Sequence, residues 1–281
     1  MTTGSPSNVF LGRPVRWRRN VELLEEGQLD RFRTAFQELV ELRDENAFRV
    51  HAGIYGLPLP DYSRVAYGTP LFLPWHRAYL FKFQRALQSL GEEGVTLPWW
   101  NWTSPRSQAG ELPDAFAQET VAGKPNALYS ADVDDVALSQ WRDAGGDPPY
   151  GSPTRRLPAQ PGSPPLPSRE RVADLLSVPD FARFSDQLET LHSDVLLWVG
   201  GDEGHMSHVA FAAYDPLFWA HLATVDRLWR LWQLRHGDST VPRAILSRPL
   251  PPFELTVADV LDATALGYDY ASVTGRVFVN P

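Results

Sequence analysis

Two pairs of helical segments, one pair in each half of the chain, constrain the fold more than any other feature of the sequence. Apolar residues recur at intervals of three and four along each segment, which is the spacing of one helix face. The segments are residues 44–54, about 74–90, 179–199 and about 216–235. Three histidines, His51, His76 and His192, lie on apolar stripes. The sequence therefore predicts a mainly α fold, a four-helix bundle core with long irregular loops and few short strands.

The remaining segments are predicted to be largely irregular. Residues 1–24 are expected to form an irregular N-terminal arm, and a short strand is expected over 276–279. Eight of the twenty residues from 148 to 167 are proline, which excludes helix and central strand there. The Pro-rich segment over 144–168 is therefore a surface loop or a linker between the halves. We expect a single domain over residues 1–281.

Charge and cysteine content exclude several classes of protein. The chain has 34 acidic and 26 basic residues, a formal charge of −8, which argues against a nucleic-acid binder. It has no cysteine, so any metal must be held by histidine, carboxylate or backbone oxygen. Apolar runs are far shorter than the roughly 20 residues of a membrane span, and no secretion signal is apparent at the N-terminus. We therefore expect a cytoplasmic protein that binds neither nucleic acid nor membrane.

Two long motifs surround the histidines. The first is Phe72-Leu-Pro-Trp-His-Arg-Ala-Tyr-Leu-Phe, followed by Leu97-Pro-Trp-Trp-Asn-Trp. The second is Leu191-His-Ser-Asp-Val-Leu-Leu-Trp-Val-Gly-Gly, followed by Asp215-Pro-Leu-Phe-Trp-Ala-His-Leu-Ala-Thr-Val-Asp-Arg. A single buried histidine is more often a hydrogen-bonded core residue than a ligand. Together, however, these motifs resemble the two copper motifs of the tyrosinase family, which includes polyphenol oxidases and mollusc haemocyanins.

The resemblance extends over roughly residues 13–272 and points to the bacterial type of these type 3 copper proteins. It implies a four-helix bundle that holds two copper ions face to face, each bound by three histidine nitrogens. In the family, dioxygen binds between the two ions and oxidises phenols or catechols. Neutral imidazole is a suitable ligand for copper.

Half of the six ligand positions implied by the resemblance are substituted in this sequence. Three positions keep a histidine, namely His51, His76 and His192. The other three fall on Tyr67, Leu196 and Leu222. His221 matches a histidine that often precedes the last ligand. Because an aliphatic side chain offers a metal no lone pair, the resemblance implies a degenerate site that cannot be an ordinary dinuclear centre.

The sequence leaves three functions open. The first is a divergent tyrosinase-like oxidoreductase that acts on a phenolic or other aromatic small molecule in specialised metabolism. It would hold at most one metal ion, with copper favoured, on His51, His76 and His192. The second is a metal-free enzyme in which Tyr67 and His192 act as acid and base in the old aromatic cavity. The third is a non-catalytic binding or partner protein. An ordinary dinuclear phenol oxidase is the least favoured.

Further residues are expected near the site. The side chains at the six ligand positions should line one cavity between the four helices. We expect Arg77, His221 and Asp226 to contact and orient the site residues without binding the metal themselves. His205 and His208 lie on a loop that runs near the second copper in the family, where either could join a metal with His192 or form loop hydrogen bonds. The expected partner is an aromatic substrate, and a small helper protein or a second copy of the chain stays open.

Overall fold

The computed structural model describes residues 15–90, 94–146, 150–237 and 240–272. Ten α-helices lie within these ranges: α1 Glu26–Glu41, α2 Phe48–Tyr55, α3 Asp61–Arg64, α4 Phe72–Ser89, α5 Pro105–Gln108, α6 Asp114–Ala117, α7 Asp135–Asp143, α8 Arg169–Ser177, α9 Phe181–Gly200 and α10 Pro216–His236. Four short strands accompany them: β1 Arg16–Arg18, β2 Thr120–Val121, β3 Lys124–Pro125 and β4 Tyr268–Tyr270. The predicted mainly α fold is confirmed. Among the described residues, no helix combines the length and apolar character needed to cross a membrane.

The core is built on α2, α4, α9 and α10, with α1 packed on the outside of α2 and α4. Aromatic side chains join these helices. Phe83 of α4 stacks on Trp219 of α10 with ring centroids 3.4 Å apart. Phe48 of α2 lies edge-on to both rings, at 6.3 Å from each. Large aromatic rings therefore contribute to the contact between the two halves of the bundle, since each buries a large apolar area.

The ends of the long helices follow local capping chemistry that the sequence contains. Asp180 and Asp215 each accept a backbone N–H at 2.8 Å, so α9 begins at the next residue and α10 begins at Pro216. Proline is favoured in a first turn because its missing N–H would have no helical partner there. α9 ends where Gly201 takes a φ of +55°, which favours glycine. The predicted positions of these two helices are confirmed within a few residues.

The N-terminal arm is more ordered than predicted. β1 pairs in parallel with β4 from the other end of the chain. Arg18 on β1 is fully buried and bonds Asp226 of α10 at 3.2 Å. Arg77 of α4 bonds the same carboxylate at 2.6 Å. The prediction of an irregular arm is wrong for residues 16–18, because a three-residue strand whose partner lies 252 residues away leaves no periodic signal in the sequence.

The carboxylate of Asp226 also accepts the hydroxyls of Tyr268 and Tyr270, at 2.7 and 2.6 Å. We call Asp226, Arg18, Arg77, Tyr268 and Tyr270 the Asp226 hub. It ties the first strand, two bundle helices and the last strand to one buried charge. Because both arginines face one carboxylate in a buried site, removing that carboxylate would leave two cations without their partner.

The described residues of the Pro-rich segment, 144–146 and 150–168, have neither helix nor strand, in agreement with the predicted irregular loop. The loop packs against the bundle. The N–H groups of Leu157 and Ala159 donate to carbonyls in the last turn of α9, at 2.9 and 3.0 Å. Arg156 pairs with Asp215 at 2.7 Å at the start of α10. The strand predicted over 276–279 lies outside the described residues.

Candidate functional site

Two tyrosines and a histidine meet between the halves of the bundle. Tyr67, just after α3, places its hydroxyl 2.8 Å from Nε2 of His192 on α9. Tyr55, the last residue of α2, places its hydroxyl 3.2 Å from the same nitrogen. The two tyrosine hydroxyls are also hydrogen-bonded to each other. Both phenols therefore share one imidazole nitrogen. We call Tyr55, Tyr67, His76 and His192 the tyrosine–histidine cluster.

The other nitrogen of His192 is held by a second histidine. Nδ1 of His192 and Nε2 of His221 on α10 are 2.8 Å apart, and the two rings stack with centroids at 4.8 Å. The ring of His221 in turn lies 5.2 Å from that of Trp102. When a phenol donates to Nε2 of His192, the ring proton of His192 is on Nδ1, which donates to His221. His221 therefore holds the ring orientation of His192, and donation by the phenol sets the tautomer.

His76 completes the cluster from α4. Its Nδ1 donates to the carbonyl of Phe72, one turn earlier, at 2.7 Å. Its Nε2 is buried and has no hydrogen-bond partner among the described residues. The ring centroid of His76 is 5.7 Å from those of Tyr67 and His192 and 6.1 Å from that of Tyr55. One imidazole nitrogen is thus anchored, and the other is left without a partner beside two phenols and a second imidazole.

His51 takes a different position. Its ring lies edge-on to Phe83 of α4 at 5.5 Å, and that is the ring contact it makes among the described residues. Both of its nitrogens are buried without a hydrogen-bond partner there. Within the described ranges, no group of three or more His, Cys, Asp or Glu side chains is arranged to hold a metal ion. The structure therefore brings His76 and His192 together and places the ring of His51 against an aromatic neighbour.

An apolar cavity of about 450 Å³ adjoins the tyrosine pair. Its wall includes Tyr55, Tyr67, Leu196, Leu197 and Val209. Three serines also line it, but their hydroxyls already donate to backbone carbonyls. Of the six residues predicted to line one cavity, Tyr67 and Leu196 belong to this wall. The other four, His51, His76, His192 and Leu222, do not. The cavity suits an apolar or aromatic ligand, with the side chains of Tyr55 and Tyr67 in its wall.

Burial changes the ionisation of the cluster. Desolvation lowers the pKa of His51 and His76 to about 4 and that of His221 to about 3. It also lowers the pKa of His192 well below its usual value, and the neighbouring imidazoles add to this effect. Desolvation raises the pKa of Tyr67 well above its usual value, with the adjacent Tyr55 phenol adding to the rise. At neutral pH the imidazoles are therefore neutral, the form that can accept a proton or bind a metal.

Of the three residues expected to contact and orient the site residues, one does so and two do not. His221 does contact the cluster, through His192. Arg77 and Asp226 instead bond each other within the Asp226 hub. Arg77 also donates to Gln233 and to the backbone carbonyls of Val260 and Leu261. Their place in the hub follows from charge, because a buried guanidinium is stabilised by a carboxylate partner.

The two loop histidines lie in a separate aromatic group. His205 accepts the N–H of Arg155 at 3.1 Å and donates to the carbonyl of Gly151 at 2.9 Å, so both nitrogens bind the Pro-rich loop. His208 accepts the N–H of Ala210 at 3.2 Å, and its ring lies 4.6 Å from that of Trp141. These contacts are loop hydrogen bonds and ring packing, the second of the two roles considered for them.

Sequence reasoning missed Tyr55. It lies four residues after His51 on α2, and residues at that interval share a helix face. That spacing contained the signal, but a tyrosine on an apolar face looks like an ordinary core residue. Only the contact with Tyr67 and His192 distinguishes it from one.

Comparison with known proteins agrees with the fold and the motifs. Residues 34–235 match a family model described as the common central domain of tyrosinase. The chain is 30% identical over 274 residues to a tyrosinase from Streptomyces lincolnensis, covering 88% of this chain and 96% of that one. It is 27% identical over 263 residues to a G-type hemocyanin of Enteroctopus dofleini. That match covers 87% of this chain and 8% of the octopus protein, so this chain spans less than a tenth of that relative.

A solved structure gives the same result in three dimensions. A functional unit from octopus hemocyanin superposes with a TM-score of 0.75 at 26% sequence identity. The superposition covers 93% of this chain and 70% of that unit. The bundle and the segments around it are therefore similar to those of a known structure along nearly the whole described length.

Proposed function

Because this chain belongs to the tyrosinase family of type 3 copper proteins, we propose that it is a divergent enzyme of that family. Its substrate is a phenolic or other aromatic small molecule of specialised metabolism. One observation carries the proposal: the hydrogen bond between Tyr67 and His192 lies beside an apolar cavity of about 450 Å³. An aromatic ring in that cavity would meet a phenol and an imidazole that are already joined for proton transfer.

The residues present do not fit an ordinary dinuclear copper centre. Such a centre needs six nitrogen donors, and Leu196 and Leu222 offer none. Both are buried, so no solvent ligand from the surface replaces them readily. His192 already uses both nitrogens, one with the tyrosines and one with His221. The second ion would be left without a protein nitrogen that is free to bind it, and we derive no step through a copper pair.

One metal ion, with copper favoured, fits better. The support is the buried Nε2 of His76, which lacks a partner among the described residues while Nδ1 is anchored by Phe72. Ligating histidines are commonly oriented through the other nitrogen in this way. Copper, when bound, would supply electron transfer to or from the aromatic substrate.

The chain's own residues bind the substrate and move its proton. Leu196, Leu197 and Val209 would hold the ring by apolar contact and exclude water from its face. Tyr67 would exchange a proton with a substrate hydroxyl, and His192 would accept or return that proton through Nε2. His221 holds the ring of His192 in position through its Nδ1. These steps need only the contacts of the cluster.

A metal-free enzyme is the second candidate, and the same Tyr67–His192 bond favours it. In that case the pair acts as acid and base without a metal, and His76 is an additional neutral imidazole beside the substrate. A non-catalytic binding protein would use the same cavity without needing the hydrogen-bonded pair. The two enzymes differ in whether a metal is required, and both differ from the binding protein in turnover.

A panel of phenols, catechols and aminophenols tests the proposal. Metal-stripped and copper-supplied protein is incubated with each compound under air, and products are separated by chromatography. We expect at least one compound to be converted and Tyr67→Phe to abolish conversion. Tyr214→Phe is the matched control, because that buried hydroxyl donates to the carbonyl of Leu57 away from the tyrosine pair. Two bound copper ions per chain with efficient quinone formation, or binding without conversion across the panel, would overturn it.

A further inference from the structure

The turn that carries Tyr67 is joined to α9 at two consecutive residues. The hydroxyl of Tyr67 bonds Nε2 of His192 at 2.8 Å, and the backbone N–H of Gly68 donates to Oε1 of Glu189 at 2.9 Å. We propose that Glu189 is a positioning residue, which keeps the Tyr67 hydroxyl on the imidazole of His192 by binding the backbone next to it. The proposal rests on the proposed function, because it assigns a further residue to the same site.

The backbone of this turn lies at the surface, and its other hydrogen bonds are local. Gly68 and Pro70 are exposed. Among the described residues, the other backbone hydrogen bonds of residues 65–70 go to partners within residues 60–72. Gly68 takes a φ of +65°, a conformation that favours glycine. The bond to Glu189 is therefore what ties the backbone of the turn to α9.

The spacing of the two bonds on α9 matches their spacing along the turn. Glu189 and His192 are three residues apart, so they share a helix face and lie about 4.5 Å apart along the axis. Tyr67 and Gly68 are consecutive, and consecutive Cα atoms lie about 3.8 Å apart. Two bonds at nearly equal spacing fix both the position and the direction of the turn. With the bond to His192 alone, the turn could rotate about that contact.

The charge of Glu189 supports the same arrangement. Burial raises the pKa of Tyr67 and of Tyr55, and the negative charge of Glu189 adds to the rise in both. A phenol that stays protonated can donate to Nε2 of His192, which is the starting point of the proposed proton exchange. Burial also raises the pKa of Glu189 itself, and the N–H of Gly68 opposes that rise.

Glu189 acts through Tyr67 rather than on the substrate. It is not part of the cavity wall, whereas Tyr67 is. One of its carboxylate oxygens already accepts the N–H of Gly68. A misplacement of about 1 Å in a reacting group can lower a rate by about 100-fold. We therefore expect loss of the Glu189–Gly68 bond to lower conversion of an aromatic substrate by about 10- to 100-fold.

Three substitutions in the full-length protein separate the hydrogen bond from the charge. Glu189→Gln keeps the length and the acceptor oxygen but loses the charge. Glu189→Asp keeps the charge but is one methylene shorter, and Glu189→Ala loses both. Positioning predicts that Glu189→Gln converts the aromatic panel at close to the parent rate and that the other two lose activity. Asp186→Ala is the matched control, because it removes an exposed acid one turn earlier on α9 and should keep the parent rate.

A spectroscopic measurement reads the Tyr67–His192 bond without any need for activity. In protein labelled with ring-¹⁵N histidine, the NMR resonance of Nε2 of His192 reports whether that nitrogen accepts a hydrogen bond. His192→Gln assigns the resonance, and Tyr67→Phe gives its position without the Tyr67 bond. We expect Glu189→Ala and Glu189→Asp to move the resonance towards that position. Glu189→Gln and Asp186→Ala should leave it near the parent position.

A double variant tests whether Glu189 acts through Tyr67. In a Tyr67→Phe background, Glu189→Ala should move the resonance no further. An unmoved resonance in Glu189→Ala, a larger shift in Glu189→Gln than in Glu189→Asp, or equal shifts in Asp186→Ala and Glu189→Ala would each overturn this inference. Glu189→Gln and Glu189→Asp suffice if Glu189→Ala does not fold. If the parent protein converts nothing in the panel, the proposed function fails, while the resonance still decides the role of Glu189.

Discussion

The bundle contains two buried clusters that include tyrosines, and they treat the tyrosine hydroxyls in opposite ways. In the Asp226 hub, the hydroxyls of Tyr268 and Tyr270 donate to a carboxylate that two arginines also bind. In the tyrosine–histidine cluster, the hydroxyls of Tyr55 and Tyr67 meet a neutral imidazole, and a second imidazole nitrogen beside them has no partner among the described residues. One cluster is built around paired charges and the other around neutral groups.

This difference separates stabilisation from function. Hydrogen bonds to a charged group contribute about 1.5–3 kcal/mol, whereas a buried polar atom without a partner costs about 1–3 kcal/mol. The hub therefore stabilises the fold by joining distant segments of the chain. Both clusters contain buried polar atoms without a partner among the described residues, at Nη2 of Arg18 and Arg77 and at Nε2 of His76. The tyrosine–histidine cluster differs because its tyrosines also line a cavity that a ligand could fill.

The largest expected effect is on the hub. Asp226→Asn leaves the buried guanidinium groups of Arg18 and Arg77 without their counter-charge. Removing one partner of a buried ion pair costs about 3–5 kcal/mol, so urea unfolding should show a loss of that size. Asp30→Asn, which breaks the more exposed pair with Arg33, is the control and should change stability by less than about 1 kcal/mol. Equal effects of the two substitutions would contradict the stabilising role of the hub.

Matched Tyr→Phe substitutions should separate stability from activity. Tyr270→Phe removes a hydrogen bond to the carboxylate of Asp226 and should cost about 1.5–3 kcal/mol. Tyr67→Phe removes bonds to neutral groups and should cost only about 0.5–1.5 kcal/mol, yet abolish conversion of an aromatic substrate. Both variants are measured by urea unfolding and by the aromatic panel. The comparison breaks down if Tyr67→Phe is the less stable variant or keeps full activity.

The buried imidazoles should make metal-free protein sensitive to mild acid. His51 and His76 have a pKa of about 4 in the folded state, against about 6.5 in an unfolded chain. Between these values the unfolded chain binds more protons, so stability is complete above pH 6.5 and falls as pH decreases towards 4, by up to about 1.4 kcal/mol per pH unit for each group. Urea unfolding at pH 7 and pH 5 measures the slope. His51→Gln should reduce that slope, and an unchanged slope would contradict the assignment.

The smallest expected effect concerns the rim of the cavity. Leu197 and Val209 are 42% and 51% exposed while lining it. Leu197→Ser should weaken the binding of a phenol several-fold, because the contact with the ring is lost, and should change stability by about 0.5 kcal/mol or less. Leu234→Ser, at an exposed position away from this wall, is the control. Fluorescence titration with a phenol measures both variants, and equal affinities would place the ligand elsewhere.

Much of the fold follows from the sequence because it depends on local signals. Asp180 and Asp215 cap α9 and α10, as expected of aspartate just before a helix. The spacing of apolar residues predicted the helices of the bundle. The pairing of β1 with β4 could not be predicted, since three residues are too few for a periodic pattern. Likewise, Arg77 and Asp226 were expected to contact the site residues. Their bond to each other forms where α4 packs on α10, and no local pattern in the sequence encodes that contact.

The sequence by itself determined the helices and the family, because both depend on residue type and spacing along single segments. The tertiary structure decided which side chains share the site. It brought Tyr55 from α2, Tyr67 from the following turn and His192 from α9 to one point, and it placed the ring of His51 against Phe83. The direction of a side chain at a helix crossing depends on the volumes packed around it, and those volumes come from segments far apart in the sequence.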